Sequence, residues 1–377
     1  MAEIEPTAAP TVASGIPATG VLQAIEHATG IEVGASSSSK WELEPLALKA
    51  FAFQYDALAP FRTLCDRRGV TPDSIESWQQ MPPIPTRAFA ELELSTAEPQ
   101  EVFRSSGTTS GDRSTHYHPF PGIYRAVIDA TFPAHCLAHL DGAHVRGLDI
   151  LSLIPSRETL PDSSLGFMAD HILERYGSEQ STTLFGPSGV DVRGARSWLG
   201  ARQRAGRPIL LLAASFALVD LLDGLERLGL RFRLPPGSVL FDTGGTKGKS
   251  RAIEREDLIG RVGEELGVPP SHIVREYGMT ELTSHFYTQV LRGGDSNRFY
   301  PHPWTRVRTL DPATLDETAP GEPGLLAILD LANIGSAVHV LTEDLGVLDE
   351  GGFRLLGRAE GADLRGCSLT IEEMASR

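Results

Sequence analysis

The chain has 377 residues with a formal net charge of −15, of which 41% are hydrophobic and 22% charged. That composition supports a sizeable buried core, and the length allows one large domain or two or three ordinary ones. The acidic balance argues against nonspecific nucleic-acid binding and against an anionic membrane surface, while leaving open an anionic small ligand bound by local amides and cations.

Residues 1–40, rich in Ala, Pro, Thr, Ser and Gly and ending in four serines, read as a disordered N-terminal tail. Within it Val21 to Ile31 has the spacing for one short helix, with Val21, Leu22, Ile25 and Ala28 on a face. Order is expected from Trp41. An aromatic-rich helical stretch starts near Pro45 and continues to Leu64, and Pro82-Pro83-Ile84-Pro85 stops the next helix. Tyr124 to Leu140 reads as a helix kinked at Pro133, and Leu148 to Ile154 as a buried strand closed by Pro155.

From there helices and strands alternate. Helices are expected over 164–176, 198–204, 216–228 and 251–266, and strands over 209–213, 239–241 and 273–276. This alternation implies a largely parallel sheet covered on both faces. After Gly293-Gly294-Asp295, short strands are expected at 305–310, 325–329, 338–341 and 353–356, forming a smaller antiparallel subdomain. The partition is therefore a tail at 1–40, an α/β core at 41–300, a β-rich subdomain at 301–366 and a short tail at 367–377.

Ligands of α/β sheets gather beyond the carboxyl ends of the strands, and three loops there carry unusual chemistry. Ser105-Ser106-Gly107-Thr108-Thr109-Ser110-Gly111-Asp112-Arg113 offers short hydroxyls, backbone N–H groups and a basic end, which suits a polyphosphate. Asp242-Thr243-Gly244-Gly245-Thr246-Lys247-Gly248-Lys249 lets backbone approach a flat ring beside cations. It is no P-loop, because Thr243 stands where that spacing needs glycine. Tyr277-Gly278-Met279-Thr280-Glu281 supplies an aromatic ring, a hydroxyl and a carboxylate suited to Mg²⁺ beside phosphate.

The first and third of these motifs, followed by Thr342-Glu343-Asp344-Leu345-Gly346 and Gly357-Arg358-Ala359-Glu360, resemble the adenylate-forming superfamily, which activates carboxylic acids with ATP. Within it the chain most resembles the LuxE-type acyl-protein synthetase family, on Thr243 to Gly248, Glu276 to Glu281 and Leu364-Arg365-Gly366-Cys367-Ser368-Leu369. The resemblance implies the N-terminal-type fold of adenylate-forming enzymes, with mostly parallel sheets flanked by helices and a β-rich subdomain. It implies that Ser105, Ser106, Gly107, Thr108, Thr109 and Gly111 cradle ATP phosphates, and that Gly244, Gly245, Tyr277 and Gly278 line the adenine. Thr280 would touch phosphate, Glu281 bind Mg²⁺, and Asp344 and Arg358 hold the ribose. Ordinary acyl-CoA ligases, as the wider resemblance implies, continue into a mobile lid domain with a catalytic lysine. This chain stops at Arg377, so a lid is expected to be missing and Lys247 or Lys249 to replace its cation. Cys367 sits where the family carries its acylated cysteine, two residues after Arg365, which would lower the thiol pKa.

Other groups are read as structural. Cys65 and Cys136 are expected to be buried apolar residues, and the wide spacing of the cysteines shows no metal knuckle or disulfide framework. His135 and His139 have zinc spacing without the accompanying Glu, so no metal is expected there. His116 and His118 read as solvated loop histidines, and Arg202, Arg204 and Arg207 as a solvated face. Asp170-His171 and Ser215 make no recognisable triad. With no signal peptide and no apolar run near the ~18 residues of a membrane span, a cytoplasmic protein is expected.

The expected activity is ATP-dependent conversion of a carboxylic acid, by the resemblance a fatty acid, to an acyl-adenylate, then acyl transfer to a thiol. The acceptor would be Cys367 and then a partner protein such as a reductase or carrier. Two alternatives stay open from the sequence: direct transfer to CoA, a carrier protein or an amine, and a nucleotide-binding scaffold subunit of a larger complex.

Overall fold

Ile209–Ala214, six consecutive apolar residues buried at every position, is a central strand because both its faces are covered. In the computed structural model, which describes residues 17–28, 43–106, 113–140, 145–244, 254–359 and 365–374, it lies inside a six-stranded sheet. The order is Phe286–Tyr287, Ile273–Tyr277, Val239–Thr243, Ile209–Ala214, Asp149–Leu153, Thr182–Thr183. All neighbours are parallel except the edge strand Phe286–Tyr287. Leu210, Leu212, Val239, Phe241 and Val274 pack on helices Pro121–Cys136 and Ser164–Tyr176. The alternate residues Leu211, Ala213, Leu240 and Ile273 pack on Val192–Ala205, Ser215–Arg227 and Arg255–Leu266. The expected doubly covered parallel sheet is present, and its carboxyl ends point one way.

A second, five-stranded sheet is built from Thr305–Leu310, Gly324–Asp330, His339–Asp349 and Gly352–Arg358, antiparallel in sequence order. A fifth piece, Ile84–Pro85, runs parallel to His339–Asp349, with Ile84 opposite Val340. Helices Leu43–Ala57 and Ala59–Arg67 share this sheet's core, which holds Phe51 and Phe61 together with Leu326, Ile328, Val340 and Phe353. The expected division at residue 300 therefore differs from the packing. Residues 43 to 94 belong with the β-rich sheet because their apolar faces are buried on it.

Both ends carry helices. The short helix expected within the N-terminal segment is present as Pro17–Ala28, and its Val21 and Ile25 are fully buried. It packs against Leu43–Ala57, Pro121–Cys136 and the turn Leu331–Asn333. The segment read as a short C-terminal tail contains helix Arg365–Met374, which docks on Ala59–Arg67. Arg67 Nη1 donates to the carbonyls of Glu372 and Glu373 at 3.0 and 2.6 Å, and Arg68 Nη2 to Thr370 Oγ1 at 2.9 Å. Among the described residues no helix is long and apolar enough to cross a membrane.

Candidate functional site

The serine-rich loop is the tip of a two-stranded ribbon, Glu101–Arg104 paired antiparallel with Thr115–His118. Its neck is closed by short bonds. Ser105 N donates to Ser114 O and Ser114 N to Ser105 Oγ, both at 3.0 Å. Arg113 clips the two limbs together, donating from Nε to Ser105 O at 2.5 Å and pairing with Asp162 at 3.1 Å. Ser106 is exposed just above the neck. Gly107, Thr108, Thr109 and Gly111 lie outside the described residues.

The second loop leaves strand Val239–Thr243 through Gly244, whose φ of +74° is a left-handed value that favours glycine. The Ser215 hydroxyl, at the start of helix Ser215–Arg227, donates to Asp242 Oδ1 at 2.6 Å and lies 3.2 Å from the carbonyls of Thr243 and Gly244. Asp242 also pairs with Arg255 at 3.3 Å. Burial pushes its carboxyl up, opposed by Ser215 and Arg255. Gly245, Lys247 and Lys249 lie outside the described residues.

The third loop is fixed to the other two. Glu276 accepts from the Thr243 hydroxyl and pairs with His285 Nδ1 at 2.7 Å, whose Nε2 lies 3.0 Å from the Tyr124 hydroxyl. A Cβ on Gly278 would run into Glu276 Oε1 and stand 2.8 Å from His285 Nδ1, so position 278 suits glycine. Thr280 O accepts from His116 Nδ1 at 2.7 Å, on the strand that returns from the serine-rich loop. Glu281 is buried at 7% exposure and its carboxylate is met by the Ser114 hydroxyl. Burial raises the Glu281 carboxyl, opposed by Ser114 and by Arg358.

Tyr277 and Asp344, both read as nucleotide contacts, meet directly: the phenol donates to Asp344 Oδ2 at 2.9 Å. The Tyr277 ring packs among Phe286, Phe299 and Phe353 at centroid distances of 6.2, 5.9 and 5.7 Å. Asp344 and Arg358 face each other across neighbouring strands, with Arg358 Nε 3.6 Å from Asp344 Oδ1. Burial raises the Asp344 carboxyl, and Tyr277 and Arg358 hold it back.

The described parts of the three loops and of the Asp344–Arg358 strand pair thus form one connected site. Glu281 is the group in it that suits a divalent cation: a buried carboxylate with no ion-pair partner among the described residues. A hard cation needs only one or two such carboxylates when phosphate oxygens complete its shell. The backbone of Cys367 lies in helix Arg365–Met374, and its side chain is outside the described residues.

Several structural readings are corrected by burial. His116 and His118 are 1% and 4% exposed, not solvated, because they face inward from the returning strand. Burial lowers His116 to about 4, so its ring is neutral and the nitrogen facing Thr280 O carries the proton. Arg202 is no free surface cation but pairs with Asp149 at 2.8 Å. His135 stacks on Tyr287, and His139 Nε2 lies 2.9 Å from Gly237 O. Cys65 and Cys136 are buried as expected; burial pushes the Cys65 thiol up to about 12. Ser114, Asp242, Ser215, His285 and Asn333 carry the site's framework and were not singled out as site residues from the sequence. Their signal is tertiary, since each bonds to segments distant along the chain.

A family model described as acyl-protein synthetase, LuxE, matches residues 28–375. Among curated proteins the chain is 22% identical over 336 residues to the long-chain-fatty-acid–luciferin-component ligase of Vibrio harveyi, covering 86% of this chain and 85% of that one. It is 21% identical over 311 residues to the protein of the same name from Aliivibrio fischeri, covering 81% and 79%. Among solved structures, an open conformation of 2-hydroxyisobutyryl-CoA ligase in complex with 2-HIB-AMP and CoA aligns with a TM-score of 0.59 and 14% identity, over 86% of this chain and 80% of that one. At that identity the structural likeness establishes the adenylate-forming fold.

Proposed function

The chain belongs to the acyl-protein synthetase (LuxE) family, and from that premise we propose that the strand-end site converts a fatty acid to an acyl-adenylate for transfer to a thiol. It is an ATP-dependent, AMP-forming ligase. The single observation that carries the site assignment is the junction of two loops. The strand returning from the serine-rich loop is bonded to the Thr280–Glu281 loop through His116.

In the proposed reaction a carboxylate oxygen attacks the α-phosphorus and the bond to pyrophosphate breaks. A thiolate then attacks the acyl carbon and AMP leaves. The first step needs charge neutralisation and alignment more than an acid or a base. Ser105, Ser106, Gly107, Thr108, Thr109 and Gly111 would cradle the phosphates with Thr280, and Gly244, Gly245, Tyr277 and Gly278 would line the adenine. Asp344 and Arg358 would hold the ribose; a carboxylate accepts from two hydroxyls, and Tyr277 fixes which oxygen faces them. Mg²⁺ on Glu281 would supply positive charge beside the phosphates. Lys247 or Lys249 would add a further cation, and Cys367 would take the acyl group before a partner protein, a reductase or a carrier, receives it.

The two curated relatives are named for a luciferin component, which supports a protein acceptor here. A cytoplasmic setting is part of the same reading, supported by the free, buried Cys65 and Cys136.

Incubation with ATP, Mg²⁺ and radiolabelled long-chain fatty acid tests the transfer. Wild type should retain label through denaturation and lose it to hydroxylamine, whereas Cys367→Ser should retain none. Equal label on both proteins would remove Cys367 from the account. Absence of label on wild type while adenylate forms would move the acceptor outside the chain.

A further inference from the structure

The loop carrying Thr280 and Glu281 is gripped from behind by a set of buried polar side chains. Asn333 Nδ2 donates to Glu281 O and to Ala337 O, both at 2.8 Å, and its Oδ1 accepts from Thr283 Oγ1 at 3.0 Å. Asp330 Oδ2 accepts from the backbone N–H groups of Thr283 and Ser284 at 3.0 and 2.7 Å. Gln54 locks the same turn from helix Leu43–Ala57, donating to the carbonyls of Ile334 and Ser336 at 3.1 and 2.7 Å and accepting from Val338 N at 3.0 Å. Opposite Asn333 stands His116, whose ring donates to the neighbouring carbonyl of Thr280 at 2.7 Å.

His116 and Asn333 are each 1% exposed. Burying an imidazole and an amide costs free energy unless their hydrogen bonds are made. A loop that needed only stability could be packed with apolar side chains at less cost. These two instead aim donors at consecutive carbonyls, one in each of the two peptides that flank the Glu281 Cα. His116 also belongs to the strand returning from the serine-rich loop, opposite Phe103 on the outgoing strand. One ring thus ties that strand to Thr280.

We propose that His116 and Asn333 are positioning residues that hold the Glu281 carboxylate in place against strand Thr115–His118, and so set the affinity of the nucleotide-bound divalent cation. The inference rests on the reading of Glu281 as the metal carboxylate. It concerns residues that touch neither substrate nor metal and act through two carbonyls.

The test uses the geometry of the His116 donor. The side-chain amide of Asn can place a donor near the position of Nδ1, whereas that of Gln reaches toward Nε2. His116→Asn should therefore keep the bond to Thr280 O and His116→Gln should lose it. The readout is Mn²⁺ affinity of the full-length protein, measured by electron paramagnetic resonance with a non-hydrolysable ATP analogue, alongside melting temperature without ligand. We expect His116→Gln and Asn333→Ala to weaken Mn²⁺ binding about 10–100-fold, the range seen when a partner of a metal ligand is removed. His116→Asn should stay within about threefold of wild type, and the Mn²⁺ losses of His116→Gln and Asn333→Ala should not scale with their losses in melting temperature.

Equal Mn²⁺ affinity for the Asn and Gln variants would overturn the inference, as would losses that merely follow melting temperature. Mn²⁺ binding with the expected pattern, but no acid-dependent chemistry in wild type, would sustain it and overturn the proposed activity instead. Failure of wild type to bind Mn²⁺ with the nucleotide would overturn both.

Discussion

The hydroxyl of Tyr277 donates to the carboxylate of Asp344 at 2.9 Å, joining the end of one sheet's strand to a strand of the other. Asp344 is shared between that phenol and Arg358, so its oxygens have a fixed orientation toward the site. Tyr277→Phe keeps the ring among its three phenylalanines and removes only the bond. Loss of one hydrogen bond to a charged group is worth about 1.5–3 kcal/mol. The KM for ATP should rise about tenfold or more, with the KM for the acid unchanged, in steady-state adenylation assays.

Gly278 carries a steric prediction. An added Cβ meets Glu276 Oε1 and His285 Nδ1, which are already bonded to each other and cannot retreat. Gly278→Ala should cost about 1–3 kcal/mol of stability by overpacking. It should also abolish nucleotide binding at concentrations saturating for wild type, as read by isothermal calorimetry.

Acid should unfold the protein through its buried histidines. Burial lowers His116 and His302 to about 4 and His339 to about 3, against about 6.5 in an unfolded chain. Below about 6.5 the unfolded state therefore binds more protons than the folded one, and stability falls with pH until the folded values are reached. Each such histidine contributes a slope of about 1.4 kcal/mol per pH unit in that window. Asp242 and Asp330, whose carboxyls burial raises, work in the opposite sense because the folded state binds their protons first. The net expectation is a steep drop in urea midpoint between about pH 6.5 and 5. A flat midpoint across that range would show that these rings are not held neutral.

Docking of the N-terminal helix is tested at Ile25, which is fully buried. Ile25→Ala should destabilise by about 2–4 kcal/mol, the cost of a core truncation. A solvated helix would give no change in the denaturation midpoint.

Much of the fold was legible because its signals are local. Ile209–Ala214 is a run of apolar residues that only a strand covered on both faces can bury, and helix Ser164–Tyr176 has its stripe and its Ser163 cap in one short window. The site motifs were legible as residue types in order along the chain. What escaped depends on partners far away in sequence. Val21 and Ile25 mark a helical face in the sequence, but nothing local says that helix Pro121–Cys136 covers it. Ile84–Pro85 is too short to read as a strand without its neighbour His339–Asp349. Asn333 lies in a turn whose composition gives no hint that its amide reaches Glu281, 52 residues earlier. His116 and His118 follow a polar loop, and only the pairing of Thr115–His118 with Glu101–Arg104 turns them inward.

The most direct test of the central claim is exchange of labelled pyrophosphate into ATP, driven by a panel of carboxylic acids from acetate to long-chain fatty acids. Wild type should catalyse exchange that depends on a fatty acid and on Mg²⁺, and Glu281→Gln should reduce it about 10²–10³-fold, as loss of one electrostatic stabiliser does elsewhere. Absence of exchange with every acid despite measurable ATP binding, or full exchange by Glu281→Gln, would contradict the account.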